Sequence, residues 1–92
     1  MNKLIIVKKL ASRHGATDLK KSTRKGKKYM VLYKNKWIHF GSDGMSDFIE
    51  HQDLERRHRY RQRHSKILLK DGTPAYKNKN SPAFWSWFIL WS

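Results

Sequence analysis

The sequence of 92 residues contains no cysteine. This absence excludes a disulfide framework, a thiolate metal site and a cysteine nucleophile, so the fold depends on packing alone or on a partner. Acidic side chains are also scarce, with 7 Asp and Glu residues against 21 Lys and Arg residues. The formal net charge of +14 predicts a polyanionic or acidic partner that is attracted over a long range.

Long apolar runs are missing too, since no stretch approaches the roughly 20 apolar residues that a membrane-spanning helix needs. The run from Leu4 to Val7 is too short for the apolar region of a signal peptide, and lysines follow it directly. The run from Ala83 to Trp91 is long enough only for a membrane interface or a protein groove. We therefore expect a soluble, unsecreted chain without a membrane span, folded as one small domain over residues 1–92.

Hydrophobic patterning identifies one clear hairpin and two less regular segments before it. Residues 4–10 fit either a strand or a short helix, because their apolar spacing suits both. Residues 12–28 are rich in Ser, Thr, Gly and charge, which predicts a mobile basic loop or arm. Residues 29–33 and 36–40 are β-prone, and the Lys34-Asn35 pair between them predicts a tight turn, because Asn tolerates positive φ.

Five of the seven carboxylates lie within residues 43–55. Asp47 and Glu50 have the spacing of a capping pair that begins a short helical turn, and Asp53 begins a second helix that runs to about Lys66. The second helix has its acids near the N-terminus and its bases near the C-terminus, which suits the helix dipole. Asp47, Glu50 and Asp53 are expected to form internal salt bridges. The arginines within pairing reach of Asp43, Asp47 and Glu50 are Arg56, Arg57 and Arg63.

The C-terminal segment is dominated by aromatic residues. Ser81-Pro82 suits the start of a helix, because Ser caps and Pro fits the first helical position. Aromatic residues recur at helical spacing over residues 84–91, whereas a strand would place Trp85 and Trp87 on one face, so both structures stay open. The segment either completes the core or docks against another subunit. The aromatic residues expected in the core or in docking are Trp37, Phe40, Phe48, Tyr60, Phe84, Trp85, Trp87 and Trp91.

Two clusters of basic residues are predicted to bind the anionic partner. Arginine forks bind phosphates or carboxylates in pairs of hydrogen bonds, so nucleic acid and an acidic protein surface both stay open. Trp37 or Tyr33 would add base stacking if its ring is exposed. The binding residues are Lys20, Lys21, Arg24, Lys25, Lys27 and Lys28 in the arm and Arg56, Arg57, Arg59, Arg61 and Arg63 in the helix.

Motifs for catalysis and for cofactor or metal binding are missing from the sequence. The histidines do not have zinc-ligand spacing, and there is no Gly-rich phosphate loop or zinc finger. A weaker hypothesis is a nuclease that holds Mg²⁺ with Asp47, Glu50 and Asp53, but carboxylates beside so many arginines are more often salt-bridge partners. The sequence favours a non-enzymatic protein without cofactor or metal.

Short motifs spread over residues 28–92 form a recognisable pattern. They are His39-Phe40-Gly41-Ser42, Ser46-Asp47-Phe48, His51-x-Asp53, Arg56-Arg57, Tyr60, Arg63-His64, Phe84-Trp85-Ser86-Trp87 and Leu90-Trp91. This pattern resembles a small basic family of uncharacterised function in nucleocytoplasmic large DNA viruses. The resemblance implies a viral origin and association with the virion, reached through the host-cell cytoplasm or nucleus during assembly.

Together, these features predict an α+β domain in which a small antiparallel β-hairpin or sheet packs with a basic helix and the aromatic C-terminal segment. The leading functional hypothesis is a minor structural protein of the virion that cements capsid or core proteins. The alternative is non-specific DNA or RNA binding for genome condensation or regulation.

Overall fold

The structure is a computed structural model that describes residues 3–92. It has the α+β architecture predicted from the sequence. The helices and strands, in chain order, are α1 (Lys3–Arg13), β1 (Asp18–Lys21), β2 (Lys27–Tyr33), β3 (Lys36–Ser42), α2 (Phe48–His51), α3 (Leu54–His64), a 3-10 turn (Ala75–Lys77), α4 (Pro82–Trp85) and a π turn (Ser86–Leu90).

The strands form an antiparallel sheet in the order β1-β2-β3. Val31 lies at its centre, paired with Leu19 of β1 and Ile38 of β3. Lys34 and Asn35 connect β2 to β3 with φ angles of 49° and 63°. Positive φ at both positions is the requirement of a type I′ turn, whose twist matches that of the strands. The predicted hairpin is therefore confirmed.

The prediction of a loop or arm over residues 12–28 fits residues 14–17 and 22–26, which lie outside helices and strands, but not the rest of the segment. Helix α1 extends to Arg13, and β1 pairs along its length with β2. Leu19 is the single buried residue of β1, at 3% exposure, and its neighbours in the strand are charged. Charged residues are typical of an edge strand, where they discourage pairing with other chains. The same charges made this segment resemble a disordered one.

Residues 4–10, for which both a strand and a short helix were predicted, form part of helix α1. Val7 and Ala11 are buried at 0% and 1% exposure, and their spacing of four residues places them on one helical face. Both belong to a core formed between the helices and one face of the sheet. The other buried members are Leu19, Tyr29, Val31, Ile38, Phe40, Phe84, Trp85, Ile89 and Leu90.

The C-terminal segment is helical, so its alternative as a strand is wrong. Ser81 accepts a hydrogen bond from the Ala83 backbone through its side chain, as predicted for the N-cap. The helix then widens, and Trp91 N–H donates to the carbonyl of Ser86 over 3.1 Å. This bond spans five residues, which defines a π turn.

The two predicted helix starts in the acidic region are also confirmed. The Asp47 side chain accepts a hydrogen bond from Glu50 N–H at the start of α2. Asp53 accepts from the backbones of Glu55 and Arg56 at the start of α3. Across residues 3–92, no helix combines the length and the apolar character needed to cross a membrane.

Candidate anion-binding cleft

Asp47 is the most buried charged residue of the described chain, at 1% exposure. Lys28 and Lys3 each donate a hydrogen bond of 2.8 Å to its Oδ2 atom. Burial by itself would raise the pKa of Asp47, but the hydrogen bonds from Lys28 and Lys3 outweigh it and hold the pKa below its usual value. The carboxylate is therefore neutralised by two ammonium groups inside the fold.

Asp47 and Glu50 form internal salt bridges as predicted, but their partners are lysines and not the arginines of α3. Glu50 pairs with Lys3, which already binds Asp47, while Asp53 caps α3 through backbone N–H groups. The partners are lysines because α1 and β2 bring Lys3 and Lys28 to the start of α2. Lys3 and Asp47 are separated by 44 residues in the sequence. No local spacing reveals such a contact.

The arginines of α3 divide into two groups, and the first group is structural. Arg57 donates to the carbonyl of Ser92 over 3.2 Å, and Arg61 donates to the carbonyl of Trp91 over 3.2 Å. Their guanidinium groups also lie 4.6 Å and 5.5 Å from the ring centroids of Phe48 and Trp87. Arg57 and Arg61 are four residues apart and thus share one face, which holds the C-terminal segment.

The second group, Arg56, Arg59 and Arg63, is exposed on a different face of α3. Arg56 donates to the hydroxyl of Ser46 over 3.2 Å. Within residues 3–92, the guanidinium groups of Arg59 and Arg63 have neither a hydrogen-bond nor an ion-pair partner. The spacing of three and four residues aligns the group along one side of the helix.

A cleft of about 540 Å³ lies in front of this group. Lys27 and Lys28 line it from the start of β2, and the end of β3 and the C-terminal segment complete its walls. Five Lys or Arg side chains thus face one carboxylate, that of Asp47, which Lys3 and Lys28 already neutralise. A cleft with one sign of charge focuses the potential and concentrates anions.

The mouth of the cleft is also apolar. Met45 and Ile67 line it, and they are 64% and 47% exposed. Two large, exposed apolar side chains therefore lie beside the arginines of the cleft. The site thus combines cationic forks with an apolar contact.

One wall is a stack of aromatic rings. Tyr60 lies between His64 and Trp91, with ring centroids 3.9 Å and 4.4 Å away. Burial raises the pKa of Tyr60 to about 12, against the opposing effects of a hydrogen bond to Ser86 and the charge of Arg63. Burial, followed by Arg63, lowers the pKa of His64. Both rings are therefore neutral near pH 7, which leaves the arginines as the charged groups of this wall.

Comparison with known sequences assigns the chain to a protein family. Residues 17–64, more than half of the chain, match DUF5754, a family of unknown function. The chain belongs to the DUF5754 family. The matched stretch of this DUF5754 protein runs from just before β1 to the end of α3, so it includes every lysine and arginine of the cleft. No curated protein and no solved structure matches the chain.

The structure brings together only part of the predicted binding set. Lys27, Lys28, Arg56, Arg59 and Arg63 line the cleft, and Arg57 and Arg61 hold the C-terminal segment. The four remaining basic residues lie on β1 or in the turn after it, outside the cleft lining, and are Lys20, Lys21, Arg24 and Lys25.

The predicted aromatic residues also divide between several environments. Those in the core cluster are Phe40, Phe84 and Trp85. Tyr60 and Trp91 stack at the cleft, whereas Phe48 and Trp87 receive the structural arginines. Trp37 belongs to none of these groups and lies on the sheet.

Sequence reasoning missed Lys3, Met45 and Ile67. For Met45, an apolar residue within the polar break after β3 was the available signal, whereas the role of Lys3 depends on a long-range contact. In residues 3–92, no cluster of three or more His, Asp and Glu side chains has metal-binding geometry. Of the three carboxylates of the nuclease hypothesis, Asp47 and Glu50 bind Lys3, and Asp53 caps α3.

Proposed function

We propose that this DUF5754 protein is a non-enzymatic minor structural protein of a large DNA virus particle. It enters the virion from the host-cell cytoplasm or nucleus and cements capsid or core proteins by holding an acidic segment of a neighbouring virion protein in the cleft. The resemblance of its short motifs to a family of large DNA viruses supports the viral part of the proposal.

The observation that carries the binding part is the placement of Arg59 and Arg63. Both are exposed, aligned on one face of α3, and without an acidic partner in the described chain. Holding such cations close together costs electrostatic free energy, which an anionic partner would recover. Arginine also suits carboxylate, because its planar fork matches both oxygens.

The apolar mouth of the cleft favours a protein over a phosphate backbone as the partner. Met45 and Ile67 would contact apolar side chains interspersed among the acidic ones, and Met, Arg and aromatic residues are the types enriched at protein interfaces. A phosphodiester chain has no group that needs such a contact. The expected partner is therefore an acidic segment that also carries apolar anchors.

Calorimetry with two synthetic peptides tests the cleft. Both contain the same number of glutamates, interspersed with leucines in one peptide and with serines in the other. We expect tighter binding of the leucine peptide, and about a tenfold or greater loss of affinity in the Arg59→Gln, Arg63→Gln double variant. The matched control, Lys8→Gln with Lys9→Gln on exposed positions of α1, removes the same charge and stays within about twofold of wild type.

Two results would count against this role. Equal losses in the double variant and in the control would show attraction by net charge, not by the cleft. Fractionation of purified particles tests the virion itself, and a protein that is abundant in infected cells yet absent from particles is not a virion component.

The second candidate function is non-specific DNA or RNA binding. It is favoured by the exposed positive charge that lies outside the cleft, on β1 and the following turn. A steep fall of DNA affinity with salt would support it, and lack of binding at physiological salt would exclude it.

A further inference from the structure

The sheet has a second face that the helices of the core do not use. The side chains of a strand alternate between the two faces of the sheet. Leu19, Val31 and Ile38 are paired across the strands and all belong to the core, so their side is the inner face. In the described chain, the alternate residues take no part in the core cluster. This outer sheet face consists of Asp18, Lys20, Met30, Leu32, Trp37 and His39.

Trp37 is the largest side chain of the outer sheet face, and it is only half-buried. The ammonium group of Lys20 lies 4.8 Å from the centroid of its ring. Leu32 lies directly opposite Trp37 on β2, which places the two side chains on the same face of the sheet. A nucleobase that replaces the Lys20 ammonium on the π face of this partly exposed indole would stack there and free Lys20 to contact a phosphate.

The turn between β1 and β2 lies against the end of this face. Ser22 Oγ and His39 Nδ1 share a hydrogen bond of 2.6 Å, and Thr23 Oγ1 donates to Met30 Sδ over 3.9 Å. These contacts hold the exposed residues Arg24 and Lys25 next to the sheet.

The charge of this surface is predominantly positive. Lys20, Arg24 and Lys25 are exposed around it, and the single carboxylate on the face, Asp18, lies at the opposite end of β1 from the turn. The Asp18 side chain already accepts a hydrogen bond from the Leu19 backbone over 2.8 Å. The surface therefore pairs a stacking ring with phosphate-binding cations.

We propose that the outer sheet face binds single-stranded nucleic acid, with Trp37 stacking on a base and Lys20, Arg24 and Lys25 contacting phosphates. Single strands are favoured over a duplex because a duplex hides the π faces of its bases within the stack. None of these residues lines the cleft, so the two surfaces can be occupied together. The inference rests on the second candidate function, nucleic-acid binding, whose substrate class and surface it specifies, and it does not depend on the cementing role.

Fluorescence anisotropy with a labelled oligothymidylate of about 15 nucleotides tests the surface across a salt series. Replacing Lys20 and Lys25 by glutamine should weaken binding by about tenfold and reduce the slope of log affinity against log salt by about 1.4. The control is again Lys8→Gln with Lys9→Gln, which should stay within about twofold of wild type. An equal loss in the control would overturn the proposal.

Stacking is tested separately from charge. We expect Trp37→Leu to lose about five- to a hundredfold in affinity for the oligothymidylate, and Trp37→Phe to retain most of it. Thermal unfolding of each variant verifies that the sheet is intact. An oligonucleotide of abasic sites keeps the phosphates and removes the bases, so it should bind wild type as weakly as oligothymidylate binds Trp37→Leu.

Three outcomes would overturn the stacking role. These are equal wild-type affinity for the abasic and thymidine oligonucleotides, an unchanged affinity in a folded Trp37→Leu variant, or tighter binding of a duplex of the same length. Each can occur whether or not the acidic peptides bind the cleft.

Discussion

Lys28 extends from β2 to donate a 2.8 Å hydrogen bond to Asp47, at the point where α2 begins. Its side chain is 11% exposed and that of Asp47 is 1% exposed, so water solvates neither charge well and each depends on the other for stabilisation. The pair connects the hairpin to the start of α2, which directly precedes the helix α3 that carries the cleft arginines. Its integrity should therefore affect the stability of the fold before it affects binding.

Replacing Lys28 by methionine should lower the free energy of unfolding by about 2 kcal/mol. The buried carboxylate would lose one of its two ammonium partners, and a carboxylate left short of partners is costly. Urea denaturation followed by circular dichroism measures the change. Lys36→Met, at an exposed position of β3, is the matched control and should change stability by about 0.5 kcal/mol or less.

Acid should destabilise the wild type partly through Asp47. Because the folded pKa lies below the unfolded value of 3.8, the stabilisation is complete above that value and is lost as pH falls towards the folded pKa. Asp47→Asn has no such ionisation, so its difference in stability from wild type should shrink as pH falls below about 4. A constant difference between pH 6 and pH 2, within about 0.5 kcal/mol, would contradict this role.

High pH should destabilise the fold partly through the ionisation of Tyr60. Its folded pKa of about 12 exceeds the ordinary value of 10.0, so the wild type keeps its full stability below pH 10 and loses it as pH rises through that range. Ultraviolet absorbance of tyrosinate should therefore show a late titration step that is missing in Tyr60→Phe. The pKa of Tyr29 is also raised, chiefly by burial, and its step should remain in the variant. A late step of unchanged size in Tyr60→Phe would assign it to another residue.

Gly41 should tolerate alanine poorly. Its φ is +81°, and an added Cβ would lie 2.9 Å from Leu90 Cδ1 and 3.2 Å from Lys28 Cβ. Gly44 has a similar φ of +85° but no atom within 4 Å of the added carbon. We expect Gly41→Ala to be about 1–3 kcal/mol less stable than Gly44→Ala, a difference that isolates the steric contribution. Equal thermal midpoints would show that Leu90 moves aside without cost.

The sequence predicted the features whose physical cause is local. The hairpin depended on Lys34-Asn35, and the helix starts depended on the side chains of Asp47, Asp53 and Ser81. Each of these determinants acts within a few residues of the structure that it specifies. Such effects are visible without knowledge of the fold.

The arrangement of the site depended on contacts between distant segments. Arg57 and Arg59 are arginines two residues apart on the same helix, so their sequence positions do not distinguish them. Only Arg57 contacts the docked C-terminal segment, and Arg59 stays exposed. Strand β1 was missed because a single buried leucine among charges carries almost no β pattern. The strand is held by its backbone pairing with β2, because its side chains bury little apolar surface.

The π turn at Ser86–Leu90 makes the C-terminal segment sensitive to its length. A turn of this type contains one residue more than an α-helical turn, and removing that residue would rotate everything after it by about 100°. Trp91 would then leave the ring of Tyr60, from which it now lies 4.4 Å between centroids. Conservative changes of side chain should therefore be tolerated in this turn far better than a single-residue deletion, and natural relatives that retain the Tyr60 stack should keep its residue count.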